Sequence, residues 1–342
     1  VLSRGDLILR EQVRQFERNI ASFLGVDYAV GVNSCTDAMH LSLRAAGLGQ
    51  VDEVITVSHT FVATVAVIVH CGATPVLVDV GEDFNMDVGQ LEEAISPRTK
   101  AILPVHLNGR LCDMEKLMDI ASRHNLIVIE DAAQALGASV NGKKAGTFGL
   151  VGCFSFYPAK ILGACGDGGI VVTKNKELSE KIRLLRDHGR ETKEDIALFG
   201  FNSRLDNLQA AILNVKFSYL SGWIERRREL ARLYHKGLAN IPALKLPPPP
   251  EPQGQYFDVY QNYVVRAQER DRLVVHLREC GIETLISLAK PIHSQKALGL
   301  GHFRLPMTEQ LSKEVVSLPM YAELSNEQVE YVVDSVREFC KS

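Results

Sequence analysis

A single lysine stands between a strand-like segment, Cys153 to Tyr157, and a glycine-dense loop. The run reads Ser155-Phe-Tyr-Pro-Ala-Lys160, then Gly163-Ala-Cys-Gly-Asp-Gly-Gly169 and the apolar Ile170-Val-Val-Thr173. Four glycines in seven residues let the backbone take positive φ and let another group approach closely. A lysine in that setting is either a solvated loop residue or an amine held for chemistry. Two upstream segments bear on the choice. Val30-Gly-Val-Asn-Ser-Cys-Thr-Asp-Ala-Met39 carries a strand into a helix, with Asn33 or Ser34 as its N-cap and Gly47 ending it. The free N–H groups of the first turn, with the Thr36 hydroxyl, favour an anion there. Leu126-Ile-Val-Ile-Glu-Asp-Ala-Ala-Gln134 runs four apolar residues into two acids, at the strand end where open α/β sheets bind ligands. Strand alternation puts Glu130 and Asp131 on opposite faces. One acid can then meet a ligand while the other turns to structure. An amine for a Schiff base, an acid beside a pyridine nitrogen and a phosphate cradle are what a pyridoxal phosphate enzyme needs. Taken singly, each segment also has a plainer reading: a capped helix with nothing bound, or an acid capping the next helix.

Elements must exist to position these residues, and the chain of 342 residues has room for them in two domains. Gln12 to Leu24 has helical spacing, with Val13, Phe16, Ile20 and Phe23 recurring at three and four residues. Short β-rich runs follow at Tyr28 to Val32, Glu53 to Val57, Thr74 to Val80, Lys100 to Val105 and Leu126 to Glu130. Helical stretches at Thr36 to Ala46, Val62 to His70 and Met114 to His124 alternate with them. Strands of Val, Ile and Leu without polar alternation predict a sheet buried on both faces, as in parallel α/β folds. After Gly169 the pattern changes. A helical region from Leu205 to Ala239 leads to Pro247-Pro-Pro-Pro250 and Pro252, which exclude helix interior and central strand. Tyr260 to Ser342 then reads as a small α+β unit, with a strand from Asn262 to Arg266 and a helix from Arg270 to Cys280.

Composition excludes several classes. Apolar content of 46% and charged content of 23% are ordinary for a globular protein, and a net charge of −3 gives no electrostatic case for nucleic acid or an anionic membrane. No apolar run approaches the roughly 20 residues of a membrane span. The seven cysteines are scattered without a C-x-x-C pair, and no secretory pattern opens the sequence. A cytoplasmic setting with reduced thiols and no zinc site is expected. Two motifs mislead. Gly137 to Lys144 fits G-x-x-x-x-G-K but lacks the Ser/Thr for magnesium, and its Asn141-Gly142 reads as a hairpin turn. The glycines at 163, 166, 168 and 169 make no G-x-G-x-x-G and precede a strand.

Together the segments resemble the sugar aminotransferases of the DegT/DnrJ/EryC1/StrS family, pyridoxal phosphate enzymes of fold type I. The resemblance spans nearly the whole chain. It runs through Asn33-Ser-Cys-Thr-Asp-Ala38, Ser58-His-Thr-Phe-Val-Ala-Thr64, Pro104-Val-His-Leu-Asn-Gly109 and Glu130-Asp-Ala-Ala-Gln134. It continues through Ser155 to Lys160, Gly166-Asp-Gly-Gly169, Arg186-Asp-His-Gly189 and Gly200-Phe-Asn-Ser-Arg-Leu-Asp206. It implies a mostly parallel central sheet with helices on both faces, in a cofactor-binding domain over 1–220 and a smaller α+β domain over 221–342.

The roles implied by the resemblance are as follows. Lys160 is the catalytic amine that carries the cofactor and shuttles its proton. Asp131 pairs with the pyridine nitrogen, Gln134 with the ring's 3-hydroxyl, and Phe61 stacks on the ring. Cys35, Thr36 and Ser155 hold the phosphate. Asn202, and less surely Arg204, reaches the phosphate of a neighbouring subunit, so a homodimer with shared sites is implied. The reaction implied is transfer of an amine from an amino acid, glutamate, to a keto-sugar linked to a nucleotide, with the amine stored as pyridoxamine phosphate between the halves. His106, His188 and His293 are candidate substrate contacts, although a structural or solvated histidine is the commoner reading of each. The family often has Tyr-Gly where this chain has Asn108-Gly109, and Gly where it has Cys35, which keeps a cyclitol ketone or a free keto-sugar acid open as substrate. In dehydratases of the same fold a histidine replaces the lysine, so Lys160 favours the transferase. A non-catalytic binding or regulatory protein on this fold is the third reading, opposed by Lys160, Asp131 and Ser155 together.

Overall fold

The computed structural model describes residues 1–251 and 254–341, so Pro252 lies outside the described residues. In chain order the first half contains α1 (Glu11–Leu24), β1 (Tyr28–Val32), α2 (Cys35–Ala45), β2 (Glu53–Val57), α3 (Val62–His70) and β3 (Thr74–Val78). Next come α4 (Leu91–Ala94), β4 (Thr99–Ile102), α5 (Met114–Arg123), β5 (Ile127–Asp131), β6 (Ser139–Val140) and β7 (Lys143–Lys144). The middle of the chain adds β8 (Val151–Ser155), β9 (Gly169–Thr173), α6 (Lys176–Arg186), α7 (Asn207–Phe217) and α8 (Leu220–Leu238). The last part holds β10 (Leu244–Lys245), β11 (Tyr256–Phe257), β12 (Tyr263–Ala267), α9 (Arg270–Glu279), α10 (Pro306–Glu314), β13 (Val315–Leu318) and α11 (Asn326–Lys341).

Seven strands form the main sheet in the order β1-β9-β8-β5-β4-β2-β3, and only β9 runs against its neighbours. Every residue of β2 and β9 is buried, as a sheet covered on both faces requires. One face packs on α1, α5 and α7 through Phe16, Ile20, Leu117, Ala210 and Leu213. The other packs on α2, α3 and α6 through Met39, Leu41, Val67, Ile68 and Ile182. On α1 the buried residues Val13, Phe16, Ile20 and Leu24 share one stripe, and Gly25 ends the helix at φ 73°.

The helical stretch expected over 205–239 is two helices, not one. Ser218 and Tyr219 separate α7 from α8, and the Ser218 hydroxyl bonds back to the Val215 carbonyl at 2.8 Å. Each half has its own partner. Asn214 of α7 bonds Gln12 and Asn19 of α1, while α8 leads away to a second sheet, β10-β12-β13, antiparallel throughout. The second core gathers Leu230 and Tyr234 of α8 with Leu273 and Leu277 of α9 and Val329 and Val333 of α11. There Tyr234 stacks on Tyr263 with centroids 4.8 Å apart. Leu220 and Ile224, at the start of α8, belong to the large-sheet core instead.

The Asn141-Gly142 hairpin forms as expected, with φ of 49° and 76° as a type I′ turn needs. Its strand β6 takes a second partner, β11, from far down the chain. Among the described residues no helix is long and apolar enough to cross a membrane.

Candidate active site

The start of α2 is built for an anion. Ser34 takes extended backbone angles as N-cap, and its hydroxyl accepts from the Asp37 N–H at 3.0 Å. Of the two caps left open by the sequence it is therefore Ser34. Asn33 instead gives its N–H to the Ser203 carbonyl. The N–H groups of Cys35 and Thr36 begin the helix, have no intrahelical acceptor and face a cleft. Gly169 packs against this turn so closely that a Cβ would lie 2.3 Å from the Ser34 carbonyl carbon.

The two acids at the end of β5 divide as alternation requires. Glu130 turns away and is fully buried. Its carboxylate accepts the N–H groups of Gly146, Phe148 and Gly149, each at 2.7 Å, and faces His106 Nε2 at 2.9 Å. The other ring nitrogen, Nδ1, accepts the Cys112 N–H, so Nε2 carries the proton and donates to Glu130. Asp131 opens onto the cleft. Its Oδ2 accepts from Thr64 Oγ1 at 2.9 Å and its Oδ1 from the Ala133 N–H at 3.2 Å. Burial raises its carboxyl above the usual range, against the pull of those two bonds and of the Lys160 charge.

Lys160 lies in the loop after β8. Its own N–H bonds the Tyr157 carbonyl at 2.8 Å, and its side chain enters the same cleft of about 930 Å³. Burial holds its amine below the usual lysine range, with the charges of Asp131 and Cys35 acting the other way. The loop turns tightly: a Cβ on Gly163 would sit 2.3 Å from the Pro158 carbonyl oxygen. The Cys35 thiol points at Asp131 Oδ1, 4.0 Å away, and burial followed by that charge keeps it protonated.

Of the residues singled out in the sequence, Cys35, Thr36, Phe61, Asp131, Gln134, Ser155 and Lys160 line this one cleft. Phe61 stands at its mouth, 67% exposed. The Gln134 carbonyl oxygen accepts the Asn108 N–H at 2.7 Å, which leaves the amide nitrogen to donate. Asn108 and Gly109 hold φ of 58° and 94°, angles that suit these two residue types.

Other candidates lie elsewhere. Asn202 is exposed and pairs with Asp187, and Arg204 donates to Asp187 at 3.0 Å, both away from the cleft of this chain. His188 bonds through its backbone to Phe201 and does not line the cleft. His106 is fully buried behind the strand end on Glu130 and Cys112 and does not line the cleft. His293 is likewise buried, its Nδ1 2.8 Å from Ser58 Oγ and its Nε2 3.3 Å from Glu309. For all four histidine and arginine candidates the partner was invisible in the sequence, because it lies on another element.

Sequence reasoning missed the far wall. Trp223 and Arg227 of α8, Gln261 and Asn262 before β12, and Met320 and Tyr321 after β13 complete the cleft. The four residues beside β12 and β13 have position at a strand end as their one signal, Trp223 and Arg227 within α8 have none, and no spacing links any of them to Lys160. Among the described residues, no cluster of three or more His, Cys, Asp or Glu could hold a metal ion.

This donor set fits pyridoxal phosphate: two helix-start N–H groups and the Ser155 hydroxyl for the phosphate, a buried carboxylate for the ring nitrogen, an amide donor and an amine of lowered basicity. The comparisons with known proteins agree. The sequence profile of the DegT/DnrJ/EryC1/StrS aminotransferase family matches residues 1–337. A "Pleiotropic regulatory protein" of Geobacillus stearothermophilus is 44% identical over 99% of this chain and 92% of its own length. The "dTDP-3-amino-3,4,6-trideoxy-alpha-D-glucose transaminase" of Streptomyces venezuelae is 42% identical over 100% of this chain and 90% of its own. Among solved structures, S. venezuelae DesV in complex with a ketimine intermediate superposes with a TM-score of 0.96 at 42% identity, covering 100% of this chain and 92% of that one. Sequence and fold both match, and this chain belongs to the DegT/DnrJ/EryC1/StrS aminotransferase family.

Proposed function

We propose that the chain transfers an amino group from an amino acid, glutamate, to the ketone of a sugar carried on a nucleoside diphosphate. The observation that carries this is one cleft holding an amine of lowered basicity, an ionisable acid on its floor and a helix start aimed at an anion. The substrate class rests on the transaminase relatives. Pyridoxal phosphate, when bound, supplies an aldehyde that condenses with amines and a ring that withdraws electrons. The protein does the rest. Asp131, held by Thr64 and Ala133, keeps a carboxylate beside the ring nitrogen, and Gln134 offers its amide N–H to the ring oxygen. Cys35, Thr36 and Ser155 anchor the phosphate. Lys160 Nζ would carry the proton from the donor's Cα to the cofactor carbon that keeps the nitrogen, and in the second half of a ping-pong cycle would carry a proton the other way, onto the sugar carbon.

The relative with a regulatory name supports the reading of a binding protein. The Lys160, Asp131 and Ser155 set favours catalysis here. The test is visible absorbance of the cofactor-loaded protein: glutamate should bleach it and a nucleotide-linked keto-sugar should restore it. No change with any amino acid would end the transaminase reading. Turnover of a free keto-sugar or cyclitol alone would overturn the substrate class and leave the chemistry.

We also propose a homodimer in which Asn202, exposed and outside its own cleft, serves the partner's phosphate site. Lys160→Ala and Asn202→Asp chains, each inactive alone, should regain activity when mixed. Random pairing gives about a quarter of sites free of both changes. A fully active monomer in sedimentation would exclude the shared site.

A further inference from the structure

Lys160 needs more than a glycine loop to hold it. Its neighbours on both sides are held by one side chain. Gln261 Oε1 accepts the Ile161 N–H at 3.0 Å, and Gln261 Nε2 donates to the Ala159 carbonyl at 2.9 Å. The amide thus makes a two-point pairing across the backbone that carries Lys160, 100 residues earlier in the chain. Gln261 is itself 7% exposed and lines the cleft.

The segment bearing Gln261 is fixed in turn. Arg227 NH1, from α8, donates to the carbonyls of Tyr260 and Gln261 at 3.1 Å each and of Met320 at 3.0 Å. Tyr260 takes φ 48° to make the bend. Beneath it Gly109 leaves no room for a side chain, since a Cβ would lie 2.9 Å from the N atoms of both Tyr260 and Gln261. Asn262, the next residue, donates to Asn108 Oδ1 at 3.2 Å, and Asn108 holds Gln134. One three-residue segment of the second half therefore touches the backbone of the amine and the support of the ring-oxygen donor.

We propose that Gln261 is a positioning residue for Lys160, clamping its loop so that Nζ stays aimed at the reacting carbon. Misplacement of a reacting group by about 1 Å is enough to lower rates by on the order of 10²-fold. Gln209 and Lys216 hold the loop further on, at Cys165 and Gly163, while Gln261 is the side chain that pairs with the backbone at both neighbours of Lys160, where such an error would arise. The inference rests on Lys160 being the catalytic amine, so its first test needs no turnover.

Gln261→Met conserves volume and removes both hydrogen bonds. In the cofactor-free protein, hydrogen–deuterium exchange at the Ile161 amide is expected to speed up by on the order of tenfold. In the loaded enzyme kcat should fall roughly 10- to 100-fold with little change in KM for the donor. The isotope effect from donor deuterated at Cα should rise, because proton transfer to Lys160 becomes slower relative to the other steps. A variant with lower thermal stability but wild-type kcat per folded site and unchanged isotope effect would overturn the proposal, since Gln261 would then only join the two cores. Should the methionine variant not fold, Gln261→Glu carries the kinetic measurements: it keeps an acceptor for Ile161 and sets an oxygen against the Ala159 carbonyl. Wild-type turnover with an unchanged isotope effect in either variant removes the clamp alone. Faster exchange in a protein whose native form never transaminates removes the catalytic reading alone.

Discussion

Lys160→Ala is expected to lower transamination by at least ~10⁴-fold, because it removes both the amine that holds the cofactor and the base that moves the proton. The fold should survive. The bond from the Lys160 N–H to Tyr157 is backbone and persists in alanine, as do the contacts of Gln261 with Ala159 and Ile161. The protein should still take up pyridoxamine phosphate through the helix start at Cys35 and Thr36 and through Ser155. Steady-state turnover and the visible spectrum together check this, and an alanine variant that transaminates like wild type would dismiss Lys160 as the catalytic amine. Lys174, exposed just beyond β9, is the control: its alanine variant should behave as wild type.

The second large effect is at Asp131. Asparagine fits the same space but carries no charge, and kcat should drop by ~10²–10³-fold through loss of a preorganised electrostatic group. Stability should change far less. An amide can keep one of the two donors on Asp131, and Thr64 can turn its proton to Thr60 Oγ1, 2.8 Å away. The pH dependence gives a separate readout. Burial raises the Asp131 carboxyl, and a carboxyl whose folded pKa exceeds its unfolded one contributes stability below the unfolded value. That contribution is lost as pH rises through the folded value. Thermal melts of the cofactor-free protein should show this loss in wild type and not in Asp131→Asn. A variant with full kcat would remove Asp131 from the mechanism.

Much of this cleft could be read from local sequence, and the reason is geometric. The opposed Glu130 and Asp131 and the hairpin at Asn141-Gly142 depend on residues a few positions apart, so spacing determines them, while at the start of α2 spacing narrowed the N-cap to Asn33 or Ser34. The break between α7 and α8 was not legible, since both halves keep helical composition and only their different partners separate them. The surroundings of His106 and His293 were not legible for a related cause. A histidine's role depends on what faces it, and Glu130 and Ser58 face these two from other elements. Gln261 lies in no motif with Lys160 at all. The antiparallel course of β9 likewise follows from pairing with β1 and β8, which the apolar run at 170–173 does not encode.

The pairing of Gln261 with the Lys160 loop also orders events during synthesis. Translation reaches Ile161, next to Lys160, 100 residues before it reaches Gln261, which at ordinary rates is roughly 5–20 s. Throughout that interval the large sheet can assemble, since its last strand ends at Thr173, and Gln209 and Lys216 can reach the loop at Cys165 and Gly163, but the backbone on either side of Lys160 still lacks Gln261. The nascent chain thus acquires its scaffold first and its aimed amine last. A chain cut short before β12 would keep an accessible, unaimed lysine, and commitment to the cofactor is expected only once the final third of the polypeptide has left the ribosome.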